Sequence, residues 1–73
     1  MIISRLAEIM GRERIRASEL HRRTGVARST IGRLWHGRAE GIDFQTLNKL
    51  CKALHCTPGD LLGYVPDDEK SGR

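Results

Sequence analysis

Residues 20–37, with the sequence LHRRTGVARSTIGRLWHG, give the clearest indication of the fold. Its apolar residues form two short sets at helical spacing, and the second set comprises Ile31, Leu34 and Trp35. Gly25 stands between the sets, and glycine readily takes the left-handed conformation that ends a helix because it has no Cβ. The stretch therefore predicts a helix-turn-helix, two short helices joined by a tight turn.

The second of these helices, over residues 28–36, has a polar side opposite its apolar residues. Helical spacing groups Ser29, Gly32 and Arg33 there, with Arg28 at the helix start. A glycine inside a helix costs roughly 0.5–1 kcal/mol relative to alanine. Either the backbone at Gly32 approaches another surface closely, or an exposed position there needs no side chain. The second helix of a helix-turn-helix can lie in a DNA major groove.

The net charge of +4 is unevenly distributed over the 73 residues, a length that suits one small domain. Residues 1–38 contain nine Arg and three Glu (net +6), whereas residues 39–73 contain four Lys or Arg and six Asp or Glu (net −2). An arginine-rich basic half indicates a surface that meets a polyanion, because the guanidinium fork suits phosphate and guanine. The alternative is a solvated arginine-rich surface.

Helical periodicity extends to both sides of the central stretch and predicts an all-α bundle of five helices. The first four are predicted over residues 2–13, 17–24, 28–36 and from a cap at Asp43 onward. The fifth spans 58–63, because Thr57 and Pro58 form a strong helix start and Gly63 ends it. The apolar positions of the fourth helix are Phe44, Leu47, Leu50, Cys51 and Leu54. Residues 67–73 are predicted to be a polar, disordered tail.

Several classes of function find no support in the sequence. There is no secretory leader and no run approaching the ~20 apolar residues of a membrane span, so we expect a cytoplasmic protein without a membrane partner. Cys51 and Cys56 flank the single His55 without a fourth ligand, which predicts buried thiols rather than a metal site. Without paired carboxylates, a phosphate-cradling loop or an activated nucleophile, no enzyme, catalytic residue or cofactor is expected.

At this point the chain resembles the phage-repressor or Cro-type (XRE-like) helix-turn-helix family over residues 2–65. The resemblance implies a lambda-repressor-like five-helix bundle and a helix-turn-helix DNA-binding domain over residues 1–66. It is carried by Glu19, Leu20, Gly25, Gly37 and residues 28–31, 33–35, 43–47 and 50–62.

The same resemblance implies which residues meet DNA. The base-contacting set is Arg28, Ser29, Gly32 and Arg33, with Gly32 close to the groove floor. The set that contacts the DNA backbone is Arg16, Thr30, His36 and Arg38. Arg28 could instead bind a phosphate, and His36 could be a surface histidine that ends the helix. Trp35 is expected to cover the core rather than to touch DNA.

Three positions depart from the family pattern. His21 replaces a small residue and could widen the crossing of the two motif helices, Ala17 replaces a polar residue that touches phosphate, and Ala27 replaces a capping Ser or Thr. Arg16 could take over the role lost at Ala17.

The expected function is sequence-specific binding of double-stranded DNA by a small transcriptional regulator. By resemblance, a homodimer would bind an inverted repeat in the cytoplasm, at the nucleoid, without a small-molecule effector. The alternative is an antitoxin-like module that binds a partner protein, with DNA binding secondary; the acidic residues 67–69 are compatible with it.

Overall fold

The computed structural model describes residues 1–66, which form five α-helices and a small antiparallel sheet. The predicted disordered tail at 67–73 lies outside the described residues. The elements, in chain order, are β1 (Ile2–Ser4), α1 (Leu6–Glu13), α2 (Ala17–Thr24), α3 (Arg28–Trp35), α4 (Phe44–Leu54), α5 (Pro58–Leu61) and β2 (Leu62–Tyr64).

One hydrophobic core joins all five helices. Its buried residues are Leu6, Ile9, Met10, Ile15, Leu20, Val26, Ile31, Leu34, Leu50, Leu54 and Leu61. Burying one such side chain stabilises a fold by roughly 1.5–3 kcal/mol relative to leaving it exposed. Within residues 1–66 no polar or charged residue is buried. The core therefore holds α2 and α3 against α1 and α4 by apolar packing.

The predicted caps of α4 and α5 are confirmed. Asp43 accepts a hydrogen bond from the Thr46 N–H at 2.7 Å. Thr57 and Asp60 form a reciprocal capping box, with Pro58 in the first turn of α5. These bonds satisfy amide groups that a helix leaves unpaired at its start.

The all-α prediction is wrong at the two ends of the described chain, where β1 and β2 form an antiparallel ribbon. The first helix begins at Leu6 rather than at residue 2, and α5 ends at Leu61 rather than at residue 63. Gly63 does not end a helix but pairs with Ile3. A Cβ added to Gly63 would lie 2.7 Å from the Arg5 guanidinium carbon, so a side chain there would require the Arg5 side chain to move.

Three residues predicted to be buried are not. Phe44 is 87% exposed, although its spacing matches the apolar positions of α4. Side chains of a helix lean toward its N-terminus, so a first-turn residue can project beyond the core. Cys51 and Cys56 are only half-buried free thiols. Partial burial, with the neighbouring Cys51, nevertheless raises the pKa of the Cys56 thiol to about 11.

Candidate nucleic-acid interface

The turn between α2 and α3 is closed by short hydrogen bonds. Gly25 has φ +75°, as predicted for a left-handed turn, and its N–H donates to the His21 carbonyl at 2.8 Å. The Thr24 hydroxyl donates to the Leu20 carbonyl at 2.7 Å and accepts the Val26 N–H at 3.1 Å. Four backbone groups at the turn are thus paired within the protein. The turn fixes where α3 begins.

His21, whose bulk was expected to disturb the helix crossing, takes part in this turn. Its Nδ1 lies 2.7 Å from the Val26 carbonyl oxygen, and because a carbonyl only accepts, Nδ1 carries the proton in this bond. The side chain is half-buried, whereas the neighbouring Leu20 is fully buried in the core. The imidazole thus bridges α2 to the residue just before α3.

The four residues expected to contact bases lie on α3 and are accessible. Arg28, Ser29 and Arg33 are exposed, and Gly32 is half-buried. A Cβ added to Gly32 would have no heavy atom within 4 Å, so the packing of this fold does not require glycine there. Ala27 makes no side-chain cap, as predicted, so no side chain satisfies the first amides of α3 from that position.

The residues expected to contact the DNA backbone are spread around α3. Arg16 precedes α2 and is exposed, Thr30 is half-buried, and His36 is exposed directly after α3. Arg38 is placed by the left-handed Gly37, whose φ is +71°. The Arg38 N–H donates to the Arg33 carbonyl at 2.7 Å, which brings the chain back beside the end of α3.

An open groove of about 700 Å³ follows the side of α3 that faces α1 and the start of α2. It brings together four predicted site residues, Arg16, Arg28, Gly32 and His36. Its other lining residues are Met10, Gly11, Arg14, Ile15, Ala17, Ile31 and Trp35. The remaining four predicted residues, Ser29, Thr30, Arg33 and Arg38, do not line it.

Sequence reasoning missed Arg14, which shares this groove with Arg16 and Arg28. Arg14 ends α1 with φ +57°, a conformation that non-glycine residues seldom adopt. The alternation of arginine at 12, 14 and 16 was the available signal. Trp35 is 45% exposed and lines the same groove, so part of its side chain faces solvent, whereas Ile31 is buried in the core.

In the described part of the chain, the arginines near α3 have no carboxylate partner. Elsewhere Arg12 pairs with Glu13 at 3.4 Å, and Arg23 pairs with Glu19 one helical turn away. Within residues 1–66, no ion pair is formed by Arg14, Arg16, Arg28, Arg33 or Arg38. Exposed guanidinium groups that form no ion pair are available to attract phosphate.

Two other kinds of site were sought in the described part of the chain. No group of three or more His, Cys, Asp or Glu is placed to hold a metal ion. None of the helices in residues 1–66 is long and apolar enough to cross a membrane.

Comparisons with known proteins agree with this geometry. A family model described as the Cro/C1-type HTH DNA-binding domain matches residues 5–67. A Bacillus subtilis (strain 168) protein named as the uncharacterized HTH-type transcriptional regulator YozG is 34% identical over 68 residues. That alignment covers 93% of this chain and 81% of the relative. The chain therefore belongs to the Cro/C1-type helix-turn-helix DNA-binding domain family.

Proposed function

We propose that this protein is a transcriptional regulator that binds double-stranded DNA sequence-specifically, with α3 in the major groove. The observation that carries the proposal is the pair Arg28 and Arg33, both exposed on α3 and both without an acidic partner in residues 1–66. In a family of DNA-binding domains, such side chains are available to base edges and phosphates.

Base readout is assigned to one side of α3. Arg28 and Arg33 each present two parallel N–H donors, which match the O6 and N7 acceptors of guanine. The Ser29 hydroxyl can donate to or accept from a base edge. Gly32 lets the helix backbone lie against the groove floor, since no neighbouring atom of the protein occupies the space beside it.

The residues proposed to contact the DNA backbone lie around this side of α3. Arg16 and His36 lie on the groove that runs along α3, and Thr30 and Arg38 lie outside that groove. We add Arg14 to this set, because it lines the groove together with Arg16. Such contacts release counterions from DNA and supply affinity without reading sequence.

The working unit in this proposal is a homodimer on an inverted repeat, in the cytoplasm at the nucleoid. Two copies of α3 would then meet successive major grooves about 34–36 Å apart. Neither a cofactor nor a small-molecule effector takes part. The alternative is an antitoxin-like module that binds a partner protein; the acidic residues 67–69, which are compatible with it, lie outside the described structure.

The test begins by selecting bound duplexes from a random DNA pool. Affinity is then measured for the recovered site and for a shuffled duplex, at two salt concentrations. We expect an enriched palindromic site, a large preference for it, and affinity that falls steeply with salt. Arg23→Ala is the matched control for alanine substitutions of Arg28 and Arg33, because Arg23 is already paired with Glu19.

Absence of any enriched sequence, or an affinity independent of salt, would overturn the proposal. Recovery of a second protein at fixed stoichiometry, with DNA binding only in its presence, would favour the antitoxin-like alternative.

A further inference from the structure

The β1 strand has an open outer edge. Met1 and Val65 hydrogen-bond to each other across the ribbon, and the Arg5 N–H donates to the Leu61 carbonyl at 2.8 Å. Since hydrogen-bonded pairs alternate in an antiparallel ladder, Ile3 and Gly63 form the pair between them. The backbone N–H and C=O groups of Ile2 and Ser4 therefore point to the opposite side. Within residues 1–66 they have no recorded partner.

The other edge of the ribbon is partly closed. The Leu62 N–H, which faces outward on β2, donates to the Pro58 carbonyl at the end of α5. No such bond protects β1. The two edges therefore differ, and the open one belongs to β1.

The side chains of the ribbon do nothing to discourage association. Ile2 and Tyr64 are cross-strand partners and are 67% and 65% exposed. Residues 2–4 carry no charged side chain and no proline, the devices by which natural proteins protect edge strands. An uncharged, apolar open edge is suited to pairing with another strand.

We propose that β1 pairs with β1 of a second copy of this chain, antiparallel and with the two-fold axis at Ile3. In this register Ile2 exchanges two hydrogen bonds with Ser4 of the second copy, and symmetry repeats them. All four outward backbone groups of each β1 are then satisfied, and the two ribbons become one four-stranded sheet. The edge is thus complementary to itself, as a two-fold interface requires.

The surroundings of β1 are mostly apolar, and within residues 1–66 Glu40 is the one charged residue that lines the groove beside it. A groove of about 250 Å³ lies beside the strand, and Leu34, Ala39 and Ile42 contribute to its lining. The groove along the DNA-facing side of α3 is lined instead by Gly32 and Trp35. Association through β1 therefore leaves the groove along α3, with Arg16 and Arg28, open. The inference deepens the proposed dimeric binding of DNA, but its test needs no DNA.

Disulfide trapping tests the register directly. The paired Ile3 residues would form a non-hydrogen-bonded pair with Cα atoms about 4.5 Å apart, within the range of a disulfide. Ile3→Cys, in a full chain that also carries Cys51→Ser and Cys56→Ser, should form a covalent dimer on mild oxidation with copper phenanthroline. Ile2→Cys is the matched control, because the two-residue offset holds its copies too far apart.

Sedimentation equilibrium without DNA tests the edge itself. Ile2→Pro removes an outward N–H and should weaken self-association roughly tenfold or more, because two interchain bonds are lost. Ile2→Lys should also weaken self-association, because a charged side chain on an edge strand opposes pairing. Phe44→Lys, which removes a more exposed apolar side chain elsewhere, should leave self-association unchanged.

A wild-type chain that stays monomeric, cross-linking of Ile2→Cys but not Ile3→Cys, or dissociation only by Phe44→Lys would each overturn the inference. A monomeric chain that still selects a DNA sequence would refute the β1 interface while leaving the proposed function intact. A trapped dimer without DNA selectivity would support the β1 interface and refute the proposed sequence-specific binding of DNA.

Discussion

The Nδ1 atom of His21 lies 2.7 Å from the carbonyl oxygen of Val26, and this hydrogen bond joins α2 to the turn that leads into α3. His21 sits on α2, and Val26 lies two residues before Arg28, the first residue of α3. The hydrogen bond therefore links the helix that supports the motif to the helix proposed to read DNA. The large side chain of His21, which departs from the family pattern, thus forms a hydrogen bond within the turn.

We expect His21→Ala to lower the free energy of unfolding by about 1 kcal/mol, because the bond to Val26 is lost. Urea denaturation followed by circular dichroism measures the change. Arg22→Ala is the control, since Arg22 is exposed on the same helix and forms no ion pair in residues 1–66. Equal stability of the two variants would show that the bond contributes nothing measurable.

Gly32→Ala separates the two interpretations of this glycine. Alanine should raise the free energy of unfolding by roughly 0.5–1 kcal/mol, since no neighbouring atom opposes a Cβ. If α3 lies against the floor of the DNA major groove, the same methyl group should weaken binding to the selected DNA site. Gly59→Ala is the control, because Gly59 lies in α5 outside the groove along α3 and an added Cβ would meet only the Thr57 hydroxyl oxygen, at 3.8 Å. A stabilised Gly32→Ala variant with unchanged DNA affinity would mean that the position simply needs no side chain.

The cap of α4 should make stability depend on pH in the acid range. The Thr46 N–H, by donating to the Asp43 carboxylate, lowers the pKa of Asp43 below its ordinary value of 3.8. Stability from a lowered pKa is present above the unfolded value and is lost as pH falls through the folded one. The melting temperature of the wild type should therefore fall more steeply below pH 4 than that of Asp43→Asn, which keeps a capping side chain that does not titrate. Parallel curves for the two proteins would contradict this role.

The helices were predictable because their signals are local. The turn glycine Gly25, the cap Asp43 and the Thr57 capping box each act within a few residues, and all are observed. The ribbon was missed because Ile3 pairs with Gly63, sixty residues away in the chain. Apolar periodicity at residues 2–4 cannot distinguish a short strand from a first helical turn when the pairing partner is distant.

The part of the candidate site that lies on α3 was predictable because its signal is also local. Positions on α3 follow from helical periodicity, and Arg28 and Arg33 are exposed as that periodicity requires. Arg14 was missed because its place beside Arg16 and Arg28 depends on the left-handed turn after α1. Phe44 was misassigned because spacing alone does not show that a helix extends past its core.

In the proposed complex Arg33 reads a base, whereas Arg38 only holds the DNA backbone. The most direct test is the ratio of affinities for the selected site and a shuffled duplex, measured for Arg33→Ala and Arg38→Ala at one salt concentration. We predict that Arg33→Ala lowers this ratio roughly 5- to 150-fold, equivalent to 1–3 kcal/mol, and that Arg38→Ala weakens both duplexes equally. An equal loss on both duplexes for Arg33→Ala would contradict the account.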